Sequence, residues 1–309
     1  MSDEAAFISA LRAIVSHPGA RNLMDDAAVI APPIGRDLVI THDMIAEGIH
    51  FLPDDPPGDV AWKLLAVNLS DLAAKGAKPI GVILGYTLST PDWDAAFVAG
   101  LARALRNFDV VLLGGDTISA PNRCFGLTAL GEASPPVPDR RGAKNGDKLW
   151  VCGTIGDAGL GLRIAKGEIK GSRRLLKAYR LPMPKLAEGM RLAPHVNAMA
   201  DVSDGLLIDA GRIAEASGLA VSIDLDSVPL SPESVALGGN DRAARLAAAT
   251  AGDDYALIFA APQHADNAIA ACAPEAACIG QFSEGNGISL HDNNGAIPLP
   301  ASTGWLHRN

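Results

Sequence analysis

The proline cluster Ser134-Pro135-Pro136-Val137-Pro138 constrains this 309-residue chain more than any other stretch. Prolines at that density cannot continue a helix interior or a central strand. The cluster therefore predicts a boundary, with one domain over 1–138 and a second over 139–309. Helices and strands alternate on both sides of it. In the first half, apolar periodicity predicts helices over 4–16, over 60–75 (Asp59 as N-cap, Gly76 as left-handed stop) and from Asp92 or Asp94 onward. Strands are predicted over 37–41, delivering Asp43 at a strand tip, over 80–88, over 110–113 and over 125–132. Gly114-Gly115-Asp116 should break the third of these. The second half predicts strands over 148–152, 219–225 and 255–260, and helices over 185–192, from Gly205 to Ser217 and over 242–249. Two successive α/β (α+β) domains fit this pattern.

Between these elements lie seven aspartate-bearing segments. They are Asp25-Asp26-Ala27-Ala28, Thr41-His42-Asp43, Asn68-Leu69-Ser70-Asp71, Gly114-Gly115-Asp116-Thr117, Asp201-Val202-Ser203-Asp204-Gly205, Ile208-Asp209 and Gly252-Asp253-Asp254-Tyr255. Carboxylates beside glycines suit hard divalent cations, which take oxygen ligands. With 35 acidic against 26 basic residues and net charge −9, the chain lacks the basic face that nucleic-acid backbones need. An acidic chain reaches a phosphate through a cation, so the pattern points to a metal-bridged nucleotide enzyme. No Walker-type lysine loop, His-Glu-x-x-His or Gly-x-Ser-x-Gly sequence occurs. Cys124, Cys152, Cys272 and Cys278 show no zinc spacing and read as buried free thiols, with a Cys272–Cys278 disulfide as the alternative. No leader and no membrane-length apolar run is present, so the chain reads as cytoplasmic.

The segments differ in what they imply. Leu64, Asn68 and Asp71 fall on one helical face, where a plain amphipathic helix would carry apolar residues. A buried carboxylate there needs a cation or donors. Asp201 and Ser203 share one side of an extended segment. Asp204 or Ser203 can then cap the following helix, whose free N–H groups would form an anion site. Gly114-Gly115 allows close backbone approach but is also ordinary turn chemistry. The pairs Asp25-Asp26 and Asp253-Asp254 read alone as solvated turns. Gly153 to Gly159 reads as a strand-to-helix turn, and His50 in Gly48-Ile49-His50-Phe51 as a surface or satisfied loop histidine.

Taken in order, from about residue 20 to the end, these segments resemble the thiamine-monophosphate kinase family of the aminoimidazole ribonucleotide synthetase-like superfamily. The most specific matches are Ala66-Val67-Asn68-Leu69-Ser70-Asp71-Leu72-Ala73-Ala74 and Asp201 through Asp209. The resemblance implies a two-domain fold whose N-terminal domain binds ATP and metal and forms a dimeric β-barrel with its twin, plus a C-terminal α/β domain. It implies Mg2+-assisted, ATP-dependent phosphorylation of thiamine monophosphate to thiamine diphosphate in a homodimer. Several Mg2+ ions would be served by Asp26, Thr41, His42 (through its backbone), Asp43, Asp71, Asp116, Asp201 and Asp204. ATP would contact Gly115, Asp116, Arg140 and Ser203, and the thiamine substrate His50, Asp253 and Trp305. The chain carries Thr41-His42-Asp43 where the family usually has Ser/Thr-Thr-Asp, and Gly252-Asp253-Asp254 where it has Gly-Glu-Asp. Arg141 sits beside Arg140 and could exchange with it. No general base is implied, because the attacking phosphate oxygen is already ionised near neutral pH. Competing readings are another ATP-using member of the superfamily, such as aminoimidazole ribonucleotide synthetase, and a non-catalytic metal-binding dimer. A selenophosphate synthetase would need a cysteine near the N-terminus and a hydrogenase-maturation relative a terminal cysteine; neither is present.

Overall fold

The computed structural model describes residues 3–24, 27–31 and 33–306. Two compact units divide the chain, Met1–Leu72 with Ala77–Pro135, and Ala73–Gly76 with Pro136–Asn309. In the first unit the order is α1 (Asp3–Arg12), β1 (Asp37–Ala46), α2 (Pro57–Ala73), β2 (Lys78–Leu88), α3 (Pro91–Phe108), β3 (Leu112–Ser119) and β4 (Cys124–Ala133). The strands form an open sheet in the order β1-β4-β2-β3, with β2 and β3 parallel and the other pairs antiparallel.

Four local expectations change here. Asp43 lies inside β1 rather than at its tip, because the two-residue alternation continues to Ile45, which is buried. Gly114-Gly115 does not break β3. A Cβ at Gly115 would sit 2.3 Å from the Leu84 carbonyl oxygen, so glycine lets β3 approach β2 as a strand. Asp59 does not cap α2, which starts at Pro57, a residue whose fixed φ suits a first helical turn; its carboxylate pairs with Arg103 at 3.1 Å instead. Likewise α3 starts at Pro91 after Thr90. The buried Asp94 of its first turn accepts from the Tyr86 hydroxyl at 2.8 Å and from the Ser89 amide at 3.0 Å.

One face of the sheet packs on a core that includes α2, in which Ala61 through Ser70 are all buried. The opposite face leaves Leu38, Ile40, Met44, Ile83 and Ile118 between 40% and 60% exposed. That is a contiguous apolar surface of the kind that marks association.

The second unit runs β5 (Lys148–Cys152), α4 (Asp157–Ala165), α5 (Arg173–Arg180), α6 (Leu186–Leu192), β6 (Ala198–Asp201), α7 (Leu206–Ser217), β7 (Ala220–Asp224), α8 (Pro232–Gly238), α9 (Arg242–Ala249), β8 (Leu257–Ala261), α10 (Asp266–Cys272), β9 (Ala276–Ser283), β10 (Gly287–Asp292) and β11 (Gly295–Ile297). Its mixed sheet has the order β11-β10-β7-β9-β5-β8-β6. Every residue of β8 is buried, as expected for a strand covered on both faces. Leu206, Ala210 and Ile213 of α7 pack on one side with Leu149, Val151 and Ile258. Leu192 and Ile269 pack on the other with Met199 and Phe259. Each fully buried Leu, Ile or Phe contributes about 1.5–3 kcal/mol, which holds the loops at the strand ends against a rigid base. No helix among the described residues is long and apolar enough to cross a membrane. All four cysteines are free, but only Cys152 is buried; Cys124 and Cys272 are half-buried and Cys278 is exposed.

Candidate functional site

In the first unit, strand alternation puts Thr41 and Asp43 half-buried on the face toward α2. The Thr41 hydroxyl donates to Asp71 Oδ2, and the Asp43 N–H donates to Asn68 Oδ1 at 2.9 Å. Asn68 is fully buried and uses its own amide N–H to reach the Leu64 carbonyl at 3.0 Å. The i, i+4, i+7 face of α2 is therefore polar because it docks the free edge of β1. Thr41, Asp43 and Asp71 offer oxygen donors only, a set that fits a hard cation. Among the described residues no group of three or more His, Cys, Asp or Glu side chains gathers as a metal cluster, so here two carboxylates and a hydroxyl make up the set. Asp26 lies outside the described residues.

His42 points the other way. Its Nδ1 lies 2.9 Å from Thr128 Oγ1 on the exposed face. Because the Asp43 N–H faces Asn68, the His42 carbonyl of the same planar peptide points toward β4. Asp116 also departs from the Asp43 group. Thr117 donates to Glu4 at 2.8 Å, so its neighbour Asp116 projects to the opposite, outer face with Ile118. The pairings Asp43↔Leu127, Leu127↔Leu84 and Leu84↔Gly115 put three strand spacings, about 14 Å, between the two segments. Gly114 to Thr117 border a cavity of about 460 Å3 that Phe7, Leu11, Ala28 and Tyr86 also line.

His50 is fixed by its surroundings. Its Nδ1 accepts from the Ala46 N–H at 3.1 Å, and its carbonyl accepts from the buried Lys63 ammonium at 2.8 Å. In the neutral ring this puts the proton on Nε2.

In the second unit main-chain bonds lace several sequence-selected residues together. The Asp253 N–H donates to the Ser203 carbonyl, the Tyr255 N–H to the Val202 carbonyl and the Trp305 N–H to the Asp204 carbonyl, each at 2.8 Å. A Cβ on Gly252 would stand 2.7 Å from the Ser203 oxygen, and one on Gly304 2.6 Å from the Asp204 oxygen. Both glycines are there for close approach. Asp253 and Tyr255 adopt left-handed φ values of 69° and 50°, and the Tyr255 hydroxyl donates to Asp253 at 3.0 Å. Asp201 ends the edge strand β6 and is buried. Trp305 is 52% exposed, so it is tethered by its backbone rather than sunk into a core. Arg141 is committed to Asp139, with Nε bonds at 3.0 and 3.2 Å. Exposed Arg140 makes no such pair among the described residues.

The expected cap of α7 is corrected. Its N-cap is Gly205, without a side-chain bond. Buried Asp209, reaching back from the first turn, accepts with Oδ2 from the N–H groups of Ser203 (3.1 Å), Asp204 (3.1 Å) and Gly205 (3.3 Å). These amides are not free for an anion. Asp209 Oδ1 and Asp204 Oδ2 both accept from Arg212 Nη1, at 2.7 and 2.5 Å. Asp254 braces a neighbouring loop in the same way, accepting from the Gly156 N–H at 2.8 Å. Burial pushes its carboxyl well above the usual range, opposed by the Gly156 and Ala158 amides. Arg212 carried no sequence signal beyond its i+3 spacing from Asp209, and Asp254 was hidden inside an acidic pair.

The two halves of the chain match the family models for the AIR synthase related protein N-terminal domain (residues 24–133) and C-terminal domain (residues 144–293). A thiamine-monophosphate kinase from Caulobacter vibrioides is 42% identical over 303 residues, covering 94% of this chain and 86% of that protein. The crystal structure of a thiamine-monophosphate kinase from Stenotrophomonas maltophilia K279a superposes with a TM-score of 0.80 at 36% identity, over 89% of this chain and 91% of that one. A second solved structure, described as AaThiL complexed with AMPPCP and TMP, gives 0.79 at 27% identity over 91% of each chain. This chain belongs to the thiamine-monophosphate kinase family.

Proposed function

We propose that this chain transfers the γ-phosphoryl group of ATP to thiamine monophosphate, forming thiamine diphosphate and ADP. The observation that carries the reading is the lacing of Ser203, Asp204, Asp253 and Trp305 by main-chain bonds. That lacing draws together the backbone segments that carry a hydroxyl, two carboxylates and an exposed aromatic ring. The names of the relatives supply the substrate.

Gly115, Asp116, Arg140 and Ser203 contact ATP, and His50, Asp253 and Trp305 the thiamine substrate. Thr41, Asp43 and Asp71 would hold Mg2+, and Asp26, Asp116, Asp201, Asp204 and the His42 backbone would serve further ions. When bound, Mg2+ supplies charge cancellation between two anionic reactants. The chain's own work is positioning. The Asn68 contact holds Asp43 against α2, and the Nε2–H of His50 suits an acceptor atom of the substrate. Trp305 offers a π-face for the cationic heterocycle. An ionised phosphate oxygen of the acceptor attacks the γ-phosphorus in line, and the bond from that phosphorus to the β–γ bridging oxygen breaks to release ADP. No residue needs to remove a proton.

The apolar outer face carrying Leu38, Ile40, Met44 and Ile118 is the surface through which two copies pair, closing their sheets into a barrel. The free thiols suit a reducing cytoplasm. ADP release measured with thiamine monophosphate, free thiamine and an aminoimidazole ribonucleotide precursor tests the activity. Release with the monophosphate alone is expected. Release with free thiamine would point to a hydroxyl kinase, and metal affinity without ADP release to a binding protein.

A further inference from the structure

Outside the residues assigned so far, a buried carboxylate with a charged partner lies under the Asp201–Gly205 loop of the second unit. Asp209 is 1% exposed and spends one oxygen on three consecutive main-chain amides. Three donors converging on one buried carboxylate oxygen exceed what a helix cap needs, since a cap satisfies one or two amides. The other oxygen faces Arg212, whose Nη1 is shared with Asp204. The arrangement is a chain of contacts: the loop backbone to Asp209, Asp209 to Arg212, and Arg212 to the Asp204 carboxylate.

We infer that Asp209 and Arg212 are positioning residues for the nucleotide and metal side of the reaction. Asp209 fixes the backbone that presents Ser203, and Arg212 fixes the orientation of the Asp204 carboxylate. This inference rests on the reading of Ser203 and Asp204 as ligand contacts. Neither Asp209 nor Arg212 needs to touch a substrate. A flexible loop would have to be ordered each time ligand arrived, at a cost in backbone entropy. Here folding has already ordered it. With the loop N–H groups consumed by Asp209, a phosphate held at this point would have to use side chains, such as the Ser203 hydroxyl, or a cation on Asp204. Partners that orient a ligating carboxylate typically account for 10–100-fold in metal affinity or activity.

The test compares Asp209→Asn, Arg212→Met, Arg212→Lys and Asp204→Asn in the full-length protein. Asp209→Asn keeps one oxygen for the amides and loses the charge facing Arg212. Arg212→Met keeps the stem of a partly exposed side chain, so it remains informative if the Asp209 variant does not fold. The readouts are the Mg2+ activation midpoint, the KM for ATP, the KM for thiamine monophosphate, and Tm. Asp209→Asn and Arg212→Met should raise the Mg2+ midpoint or the ATP KM on the order of tenfold, with the acceptor KM within twofold. Arg212→Lys should recover most of the loss. Lower Tm with unchanged midpoints and KM values in these variants, beside a shifted Asp204→Asn, would overturn the positioning role alone. An unchanged Mg2+ midpoint in Asp204→Asn would remove Asp204 from the metal set and take both readings down together.

Discussion

The N–H of Asp43 donates to Asn68 Oδ1 at 2.9 Å, which locks the free edge of β1 onto α2 at Asp43. Removing that acceptor leaves a backbone donor unsatisfied, at a cost of about 1–3 kcal/mol. Asn68→Ala should lower the unfolding free energy of the first unit by that amount in a urea titration. It should also reduce activity more than stability alone accounts for, because Asp43 loses its anchor. Full activity in the folded fraction would separate Asn68 from the site.

Asp71→Asn and Asp116→Asn preserve side-chain size and remove charge. Each should lower kcat by about 100-fold or more, the scale of losing one preorganised electrostatic group from an active site, while circular dichroism stays native. Because Asp71 also accepts from Thr41, its variant should show the larger fall in Tm. Near-normal turnover of Asp71→Asn at low Mg2+ would refute its assignment.

Arg140 and Arg141 are neighbours with different commitments. Arg141 is clamped to Asp139, whose carboxyl is held down to about 2 by that partner. Arg140→Ala should therefore raise the ATP KM several-fold and leave the acceptor KM unchanged, whereas Arg141→Ala should leave both near wild type. Steady-state kinetics with each substrate varied in turn decides between them. The reverse ranking would assign the nucleotide contact to Arg141.

Trp305 is half-exposed, so replacing it should barely affect Tm. Stacking on a cationic ring at such a site is worth ~0.5–1 kcal/mol, a factor of about 2–5 in binding. Trp305→Ala should raise the KM for thiamine monophosphate by that factor, leave the ATP KM alone, and be largely rescued by Trp305→Phe. A drop in Tm with unchanged KM would make the ring a packing element.

Asp254 should tilt the pH profile of stability. Its folded carboxyl titrates above the ordinary 3.8, chiefly through desolvation. Between 3.8 and the folded value, the native chain holds a proton that the unfolded chain has released. Stability therefore falls as pH rises through that window and levels off above it. Asp254→Asn cannot titrate and still offers an acceptor to Gly156. Urea midpoints across mildly acidic to mildly alkaline pH should be flatter for the variant than for the parent. Equal slopes would show that Asp254 does not supply the dependence.

Much of this was legible in the chain. The 3.6-residue pattern of α2 and the run Arg242–Ala249 carry clear helical signals, and Asn68 and Asp71 lie on the helix face that meets β1. Sequence and structure part where tertiary contact overrides local preference. Gly114-Gly115 reads as a turn because glycine permits one, but nothing local reveals that Leu84 presses a carbonyl against that position. His42 and Asp43 read as a strand end because polar residues usually leave a sheet, and here an edge strand carries them onward. The amides before α7 read as an anion site because the acceptor that fills them comes from a turn further along, at Asp209.

The strand through Gly114 and Gly115 also bears on which lengths of chain this segment can tolerate. Side-chain direction in a strand has a period of two, and Asp116 and Thr117 occupy opposite faces. Deleting or inserting one residue ahead of Asp116 would exchange their faces, sending the threonine outward and the carboxylate into the α1 contact now made with Glu4. A two-residue change would restore the parity and move only the register. Relatives that vary in length here should therefore do so in even steps, or carry a bulge that absorbs the odd one.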